Sequence, residues 1–407
     1  MITSFCSFPM FAFITAVIAF FIKAFSLYTG MIIDSFFTLA LVYNRFMRLA
    51  FVNFYSGLAQ RGGETYVDSL AEKLARKHQV YVFQAGSQKG KKLYKVEEIK
   101  ISFNPNHPHS QLPVTHLLKR LFIDYFHLQE TLFTIKLLPK LWKIKPEVIF
   151  PQNSGWEVML LRIFSTIINA KIIVAGQSGP GWNDRVNLFI RPDIFVALTK
   201  SQANWAEKAT PWKDQKIVTI PNGVDLKKFS SKGENSEINL SIPVILAVGA
   251  AIKSKRIRDT IRAVARLKNT SLLVAGTGPL EKDEDLLGKK LLGNRYKRIK
   301  VTHGDMPNIY RSVDVFTLCS DSSEAFGIVY LEALASGLPC VVTDDASRRE
   351  ILNDAGIYVK DPEDSKEYTD KLKEALLQKS PEKYLKQAEK YSWDKIADKY
   401  EKILDKK

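Results

Sequence analysis

Short apolar runs that alternate with amphipathic segments constrain the fold of this chain more than any other feature. Residues 48–54 and 79–83 have the length and apolar content of buried strands, and residues 64–77 between them carry apolar side chains at helical spacing. The pattern stops in the polar stretch 227–239 and starts again at residue 243. Alternation of strand and helix is typical of parallel α/β units. The sequence therefore predicts an α/β protein with two Rossmann-like domains that face each other across a cleft.

The chain has 407 residues, which suits two domains of ordinary size. The predicted parts are a hydrophobic N-terminal segment at 1–46, a first domain at 47–225, a second domain at 226–380 and a C-terminal helix at 381–407. Further strands are predicted at 148–151, 171–175, 194–198, 216–220, 243–248, 271–275, 299–303, 313–318 and 339–343.

Two interpretations of the N-terminal segment stay open. Residues 5–22 and 24–43 are almost wholly apolar, and each stretch approaches the roughly 20 residues that cross a bilayer. Basic residues follow the first stretch and none precedes it, which argues against a secretory signal peptide and would leave the rest of the chain in the cytoplasm. Alternatively, the protein starts at Met47 and the upstream residues are a mis-assigned start. We expect a cytoplasmic protein, at or anchored in the inner face of the cell membrane in the first case.

The net charge and the cysteine content limit the classes of binding partner and the cellular compartment. A net charge of +16 suits an anionic membrane surface, a phosphorylated substrate or nucleic acid. The sequence has no zinc-finger spacing and no aromatic RNA-binding signature, so nucleic acid is the least favoured of these partners. Cys6, Cys319 and Cys340 are too few and too scattered for a disulfide or zinc framework, which fits a reducing cytoplasm.

The stretch from Glu324 to Glu332 carries the most specific chemistry. It lies between a predicted strand and a predicted helix, at the edge of the sheet where open α/β sheets bind ligands. The amides of Phe326 and Gly327 precede the helix, whose dipole favours an anion such as a phosphate. Glu324 can accept hydrogen bonds from sugar hydroxyls, and Glu332 can accept them from a ribose. For two glutamates alone, a helix cap and a flanking residue would be the simpler interpretation.

With its flanks, this stretch resembles the donor-binding signature of family 4 of the retaining glycosyltransferases, which have the GT-B fold. That signature is Glu-x7-Glu, followed by a helix that ends in a small residue, Gly, any residue and Pro. The matching residues are Glu324, Phe326, Gly327, Glu332, Ala333, Gly337 and Pro339. The likeness extends, with gaps, from about Met47 to the C-terminus, where Ser392 and Trp393 resemble the start of a helix that packs back on the first domain. The resemblance implies a nucleotide-sugar donor, UDP- or GDP-linked, and a glycan or lipid-linked acceptor.

The resemblance also implies roles for single residues. Lys255 stands where the family has a lysine that holds the donor diphosphate, as leaving-group stabilisation requires. Ala250 departs from the family, which often has arginine there, so Arg256 or Lys253 would have to compensate. The expected donor-binding residues are Gly63, Gly249, Lys255, Arg256, Glu324, Phe326, Gly327, Ile328 and Glu332.

A second departure lies in residues 175–182, where many family members have a histidine that touches the donor sugar. This chain has none there, and Gln177 or Ser178 would take its place. The expected catalytic residues are Glu324, Lys255 and Gln177, and the expected acceptor-side residues are Gly62, Asn153, Gln177 and Ser178. The resemblance implies that the leaving phosphate itself acts as the base for the acceptor, which makes the missing histidine less damaging. No Asp-x-Asp stands where a metal ion would bridge the phosphates, so neither a cofactor nor a metal ion is expected. Asp344 and Asp345 are adjacent and read as turn residues.

Residues 117–145 combine apolar side chains with interleaved lysines and arginines. In membrane-associated relatives such a patch on the first domain docks to anionic lipid, whereas a core helix with a solvated face is the alternative, and Pro139 would break it. A catalytically silent module that binds sugar nucleotides or glycans stays open as an alternative to the enzyme, given Ala250 and the missing histidine. The protein is expected to be a monomer.

Overall fold

A computed structural model describes residues 46–58, 62–87, 90–101, 116–378 and 380–404. Residue contacts divide the chain into Met1–Arg45 and Phe46–Lys407. The first unit lies outside the described residues, and with it both apolar stretches of the N-terminal segment. Within the described ranges, no helix is both long enough and apolar enough to cross a bilayer.

The described part of the first half forms a seven-stranded parallel sheet in the order β3-β2-β1-β4-β5-β6-β7. Its strands are β1 (Arg48–Val52), β2 (Gln79–Gln84), β3 (Lys95–Glu98), β4 (Val148–Pro151), β5 (Lys171–Ala175), β6 (Ile194–Ala197) and β7 (Ile217–Thr219). Its helices are α1 (Gly62–Leu74), α2 (His116–Arg120), α3 (Tyr125–Ile144), α4 (Trp156–Ile167), α5 (Trp182–Phe189) and α6 (Lys200–Ala209). The central strands are apolar throughout because helices cover both faces: in β1, Leu49 and Phe51 belong to one core, Ala50 and Val52 to the other.

The second half repeats this architecture with a six-stranded parallel sheet in the order β10-β9-β8-β11-β12-β13. Its strands are β8 (Val244–Val248), β9 (Ser271–Ala275), β10 (Tyr296–Ile299), β11 (Val315–Leu318), β12 (Cys340–Thr343) and β13 (Gly356–Val359). Its helices are α7 (Ile257–Ala265), α8 (Glu281–Leu292), α9 (Met306–Arg311), α10 (Ile328–Ala335), α11 (Ala346–Leu352), α12 (Ser365–Leu377) and α13 (Pro381–Ala388), followed by α14 (Trp393–Leu404). The predicted α/β class with two Rossmann-like halves is confirmed.

Two local predictions were wrong. The strand expected at 299–303 lies at Tyr296–Ile299, because this edge strand pairs with β9 through polar residues whose side chains find partners, such as Arg298 with Glu284. Pro139 does not break its helix: α3 runs through it to Ile144. Pro139 is on the exposed side, where water can satisfy the carbonyl that loses its backbone partner.

The C-terminal helix α14 packs on α1 of the first half. The Tyr66 hydroxyl donates to the Tyr400 hydroxyl at 2.9 Å in a buried contact, and His78 Nε2 lies 2.8 Å from a Glu401 carboxylate oxygen. After the second sheet the described chain therefore returns to the first half, so two stretches of backbone connect the halves.

Each sheet has one switch point, which is the place where the strand order reverses. The switch point of the first sheet lies between β1 and β4, and that of the second lies between β8 and β11. Ligands of open parallel sheets bind in the crevice outside the carboxyl ends of the strands at such a point. The fold therefore offers two crevices.

Candidate functional site

The loops that follow β8 and β9 form the floor of the second switch point. A Cβ atom on Gly276 would lie 2.1 Å from the carbonyl oxygen of Gly249, so only glycine allows the two backbones to cross this closely. Beyond the crossing, the Ala251 amide donates to the Thr277 carbonyl at 3.0 Å. The glycine-rich turn after β9 thus supports the loop that leads to Lys255.

Lys255 and Glu324 meet at this switch point. The Lys255 ammonium is in direct contact with a carboxylate oxygen of Glu324, and the Ser320 hydroxyl donates to the same oxygen at 3.2 Å. The Asp321 amide donates to the Ser254 carbonyl at 2.8 Å and ties the two loops together. The side chains of Lys255 and Glu324 are only 22% and 13% exposed. Two residues that were predicted to bind the donor therefore form one partly buried cation–carboxylate pair.

Arg348 lies beneath this pair and was not predicted. It is 2% exposed, and its guanidinium donates to the carbonyls of Ser320 and Asp321, both at 3.0 Å, and to the Tyr330 hydroxyl at 3.0 Å. The loop that carries Glu324 is therefore held from below. The adjacent Arg349 pairs with Asp344 on the surface. The sequence around the two arginines does not indicate which of them is buried.

Backbone groups dominate the start of α10. Gly327 has a φ of 77°, and a Cβ there would lie 2.2 Å from the Tyr330 ring, so a side chain is excluded. The Phe326 side chain is 2% exposed and packs edge-on against Tyr391, which leaves its backbone as the part that can face a ligand. Because helices leave their first amides without intrahelical partners, this start can bind an anion.

Glu332 lies on the next turn of α10, under a histidine. His303 Nε2 is 2.7 Å from one carboxylate oxygen, and the Tyr310 hydroxyl donates to the other at 3.0 Å. Lys228 Nζ lies 3.1 Å from His303 Nδ1, so the imidazole connects Lys228 to Glu332. Burial lowers the pKa of Lys228. His303 and Lys228 are further site residues that the sequence did not indicate.

A chamber of about 600 Å³ opens beside Glu332, between the two halves. Ile328, Glu332 and His303 line it from the second half, and Gly57, Glu64 and Lys92 are among the residues of the first half. Lys255 and Glu324 are not among the residues that line the chamber.

The loop 176–181 of the first half reaches across the cleft to the Glu324 segment. A Cβ on Gly179, whose φ is 78°, would lie 3.1 Å from the Cα of Ala325. The side-chain amide of Gln177 in this loop and that of Asn222, which lies outside it, donate hydrogen bonds to each other at 2.9 and 3.0 Å. The neighbouring Ser178 is exposed. Both polar ends of Gln177 are thus engaged, and its catalytic role stays a prediction.

Asp184 and Gln202 hold the same loop from below. Gln202 Nε2 donates to the Gly176 carbonyl at 2.7 Å and to Asp184 Oδ2 at 3.1 Å. Burial raises the pKa of Asp184 to about 8, although hydrogen bonds to its charged form oppose the shift.

Four other residues that the sequence predicted for the site have other partners or, as glycines, offer no side chain. Arg256 points to Glu363, at 3.7 Å, and is not brought to Glu324. Asn153 donates through its side chain to Glu157 at 2.7 Å. Gly62 and Gly63 begin α1, and a Cβ on either would meet nothing within 4 Å.

The two adjacent aspartates also have structural partners. Asp345 caps α11 by accepting from the Arg348 amide, and Asp344 pairs with Arg349. Both belong to the connection from β12 to α11, as a turn requires.

Two family models match the chain. The model described as Glycosyltransferase Family 4 matches residues 60–228, and the model described as Glycosyl transferases group 1 matches residues 230–405. Together they span both halves and meet in the connection between the two sheets.

Among curated relatives, an uncharacterized glycosyltransferase of Methanocaldococcus jannaschii is 32% identical over 45% of this chain and 52% of its own length. The chain thus spans about half the length of this relative. The N-acetylgalactosamine-N,N'-diacetylbacillosaminyl-diphospho-undecaprenol 4-alpha-N-acetylgalactosaminyltransferase of Campylobacter jejuni is 26% identical over 74% of this chain and 82% of its own length.

Solved structures share the fold. HepE of Anabaena, solved in complex with UDP and glucose, superposes with a TM-score of 0.67 at 15% identity, over 89% of this chain and all of that one. WaaG, a glycosyltransferase involved in lipopolysaccharide biosynthesis, gives 0.65 at 17% identity, over 88% of this chain and all of that one. At these identities the likeness concerns the fold, which is GT-B.

Proposed function

We propose that this chain, which belongs to the group 1 glycosyltransferases, transfers a sugar from a UDP- or GDP-linked donor to a glycan or lipid-linked acceptor, with retention of configuration. The contact of Lys255 with Glu324 at the second switch point carries the proposal. A cation for the diphosphate and a carboxylate for the sugar hydroxyls are the two groups that a nucleotide sugar needs at its reacting end.

In this proposal the donor lies along α10 from its start to Glu332. The diphosphate binds between the Lys255 ammonium and the free amides at the start of the helix, and the sugar hydroxyls donate to Glu324. The ribose hydroxyls donate to Glu332, whose oxygens each retain a lone pair beside His303 and Tyr310. The base occupies the chamber next to His303.

The departing diphosphate acquires negative charge as its bond to the sugar breaks, and the fixed charge of Lys255 stabilises it. A diphosphate oxygen takes the proton of the acceptor hydroxyl, so the protein need not supply the base. Since Lys255 and the helix start provide the positive charge, we propose that the reaction requires no metal ion.

Named properties of relatives support the donor and acceptor classes. HepE was solved with UDP and glucose, and the Campylobacter jejuni relative is named for a diphospho-undecaprenol acceptor, which is lipid-linked. For this chain a UDP-sugar is therefore the first donor to test, and a lipid-linked glycan is the first acceptor class.

An exposed apolar stripe on α3 supports a membrane-facing site of action. Leu128, Leu132, Ile135 and Trp142 are 56%, 41%, 50% and 49% exposed, and Leu128, Leu132 and Ile135 share one helical face. The lysines of α3 and the arginine at the end of α2 add positive charge. Apolar side chains beside cations suit the headgroup region of an anionic membrane, so we propose that this surface docks the enzyme to the membrane that presents its acceptor.

A thermal-shift panel of UDP, GDP and their sugars tests the donor class, because a bound ligand stabilises the folded state by mass action. A stabilising nucleotide sugar that is also consumed, with EDTA present, supports the transferase. Stabilisation with no nucleotide release under any acceptor condition would instead favour the silent binding module.

A further inference from the structure

The start of α6 in the first half contacts α11 of the second half. The Lys200 amide donates to a Glu350 carboxylate oxygen at 2.8 Å. The hydroxyl of Thr199, which is fully buried, lies 3.4 Å from the Ser347 hydroxyl. Leu198, the residue before them, belongs to the core of the second half. We call the two polar pairs, Lys200 with Glu350 and Thr199 with Ser347, the α6–α11 contact.

The position of Glu350 suits a helix start. Lys200 is the first residue of α6, so its amide has no partner within the helix, and Glu350 supplies one. The helix dipole adds to this attraction, because its positive end faces the carboxylate. The Tyr391 hydroxyl donates to the Glu350 carbonyl at 3.1 Å and holds the backbone of α11 at the same place. The geometry thus favours one defined position of α11 against α6.

In the first half, Gln202 links this contact to the loop 176–181. The Gln202 amide donates to the Thr199 hydroxyl at 3.1 Å, and Gln202 Nε2 donates to the Gly176 carbonyl at 2.7 Å. Gln202 is 1% exposed, and a Cβ on Gly176 would lie 2.4 Å from its Nε2, so the two residues pack closely. The start of the loop is therefore fixed to the start of α6.

In the second half, Arg348 links the same contact to the loop that carries Glu324. Arg348 lies in α11, two residues before Glu350. Its guanidinium donates to the carbonyls of Ser320 and Asp321, at the start of that loop, both at 3.0 Å. A shift of α11 would therefore move the Glu324 loop with it.

The two loops meet each other across the cleft. A Cβ on Gly179 would lie 3.1 Å from the Cα of Ala325, which follows Glu324. The contacts thus form a closed series, from the first-half loop through Gln202, the α6–α11 contact and Arg348 back to the Glu324 loop. Because two stretches of backbone connect the halves, a rotation about them would separate the two loops unless the α6–α11 contact opposes it.

We propose that the α6–α11 contact keeps the two halves closed over the donor and that Glu350 is a positioning residue for the transfer reaction. The inference rests on the proposed function, to which it adds a residue that acts through other residues. Closure brings the loop 176–181 to the reacting end and removes bulk water, which strengthens the action of Lys255 on the leaving diphosphate. Lys255 and Glu324 both belong to the second half, so the donor still binds when the halves open. Loss of the contact therefore lowers kcat and leaves the donor affinity unchanged.

The test removes this hydrogen bond from either side. Glu350→Ala deletes the acceptor, Glu350→Gln keeps an uncharged one, and Lys200→Pro deletes the donor, since proline is tolerated at the first position of a helix. Three quantities are measured: the affinity for UDP and GDP by calorimetry, kcat of nucleotide release from UDP-glucose and GDP-mannose, and hydrogen exchange of residues 176–181 and 322–327. Glu207→Ala, at an exposed glutamate of the same helix, is the matched control.

We expect kcat to be about tenfold lower in Glu350→Ala and in Lys200→Pro, as for the loss of one charge-assisted hydrogen bond. Glu350→Gln should restore part of this loss, because its amide oxygen still accepts from Lys200. The nucleotide affinity should stay within about twofold of the wild type, and hydrogen exchange of both loops should be faster in the two deletions. Glu207→Ala should match the wild type in all three measurements.

An unchanged kcat or an unchanged hydrogen exchange in Glu350→Ala and Lys200→Pro would overturn the inference. A loss of nucleotide affinity as large as the loss of kcat would overturn it too, because Glu350 would then act on donor binding. If Glu350→Ala does not fold, Lys200→Pro and Glu350→Gln decide in its place. The failure of the proposed function looks different: the wild type then releases no nucleotide from any donor. In that case, hydrogen exchange still decides whether the contact holds the two loops together.

Discussion

The ammonium of Lys255 and the carboxylate of Glu324 neutralise each other at the second switch point. The two side chains come from different loops, which the bond from the Asp321 amide to the Ser254 carbonyl keeps together. In the proposed function, a donor would bring two phosphates to the lysine and hydroxyl groups to the glutamate. On that proposal, each partner of the pair holds the other in place while no donor is bound.

Replacing Lys255 by methionine removes the cation and keeps the apolar stem that lies on Gly249. We expect kcat to fall by about 100-fold, because loss of one fixed group that stabilises the leaving charge has effects of this order. Steady-state kinetics of nucleotide release measures it. Lys268→Met, an exposed lysine in the connection from α7 to β9, is the control and should retain wild-type kcat. Equal rates for the two variants would remove Lys255 from the mechanism.

Arg348→Met tests the support below the pair. The substitution removes the hydrogen bonds of the guanidinium to the Ser320 and Asp321 carbonyls and leaves Asp345 without its ion-pair partner. We therefore expect the free energy of unfolding to drop by about 2–4 kcal/mol. Arg348→Lys should not restore it, because an ammonium cannot reach all of the acceptors that the planar guanidinium spans. Urea unfolding gives the values, with the exposed Arg349→Met as control. A wild-type midpoint for Arg348→Met would contradict the contacts described here.

Asp184 makes stability depend on pH. Burial raises its pKa from 3.8 to about 8, so the folded state keeps a proton that the unfolded state loses. Its contribution therefore favours folding at low pH and is lost as the pH rises from about 4 to 8, by at most about 1.4 kcal/mol per pH unit.

Asp184→Asn removes this titration and keeps an oxygen for Gln202. We expect the variant to gain stability relative to the wild type as the pH rises from 5 to 8, in unfolding experiments at fixed ionic strength. Asp214→Asn, an exposed partner of Arg191, should show no such trend. A constant difference between Asp184→Asn and wild type over this range would show that Asp184 is ionised in the folded state.

The stripe on α3 is tested with vesicles. Leu128→Glu combined with Leu132→Glu adds negative charge and removes apolar area, so binding to vesicles that contain phosphatidylserine should weaken by about tenfold or more. Leu377→Glu, at an 85% exposed leucine of the second half, is the matched control. Cosedimentation at low and high salt separates the electrostatic contribution to vesicle binding from the apolar contribution. Equal binding of all three proteins would place the membrane contact elsewhere or exclude it.

Local sequence patterns predicted the strands that are apolar and central. The strands β4, β5 and β9 occur at the predicted residues because helices bury them on both faces. The edge strand β10 begins before its predicted position. An edge strand tolerates polar residues such as Lys297 and Arg298, which interrupt the apolar pattern used for the prediction.

At the candidate site, Glu324 and Lys255 were predicted because a motif in the neighbouring sequence marks them, and the structure brings the two together. Contacts between residues far apart in the chain were not predicted. The pairing of Gln177 with Asn222, and of Glu332 with His303, depends on how separate strands and loops come together, which no spacing along the chain encodes.

The most direct test of the central claim is the release of UDP from UDP-glucose, and of GDP from GDP-mannose, by the wild type and by Glu324→Gln at equal concentration. The account predicts that the wild type turns over at least one class of nucleotide-sugar donor and that the variant, which still folds, loses about 99% of that rate because its amide no longer accepts from the sugar with a full charge. A wild type that releases no nucleotide from any UDP- or GDP-sugar, or a variant as fast as the wild type, would contradict it.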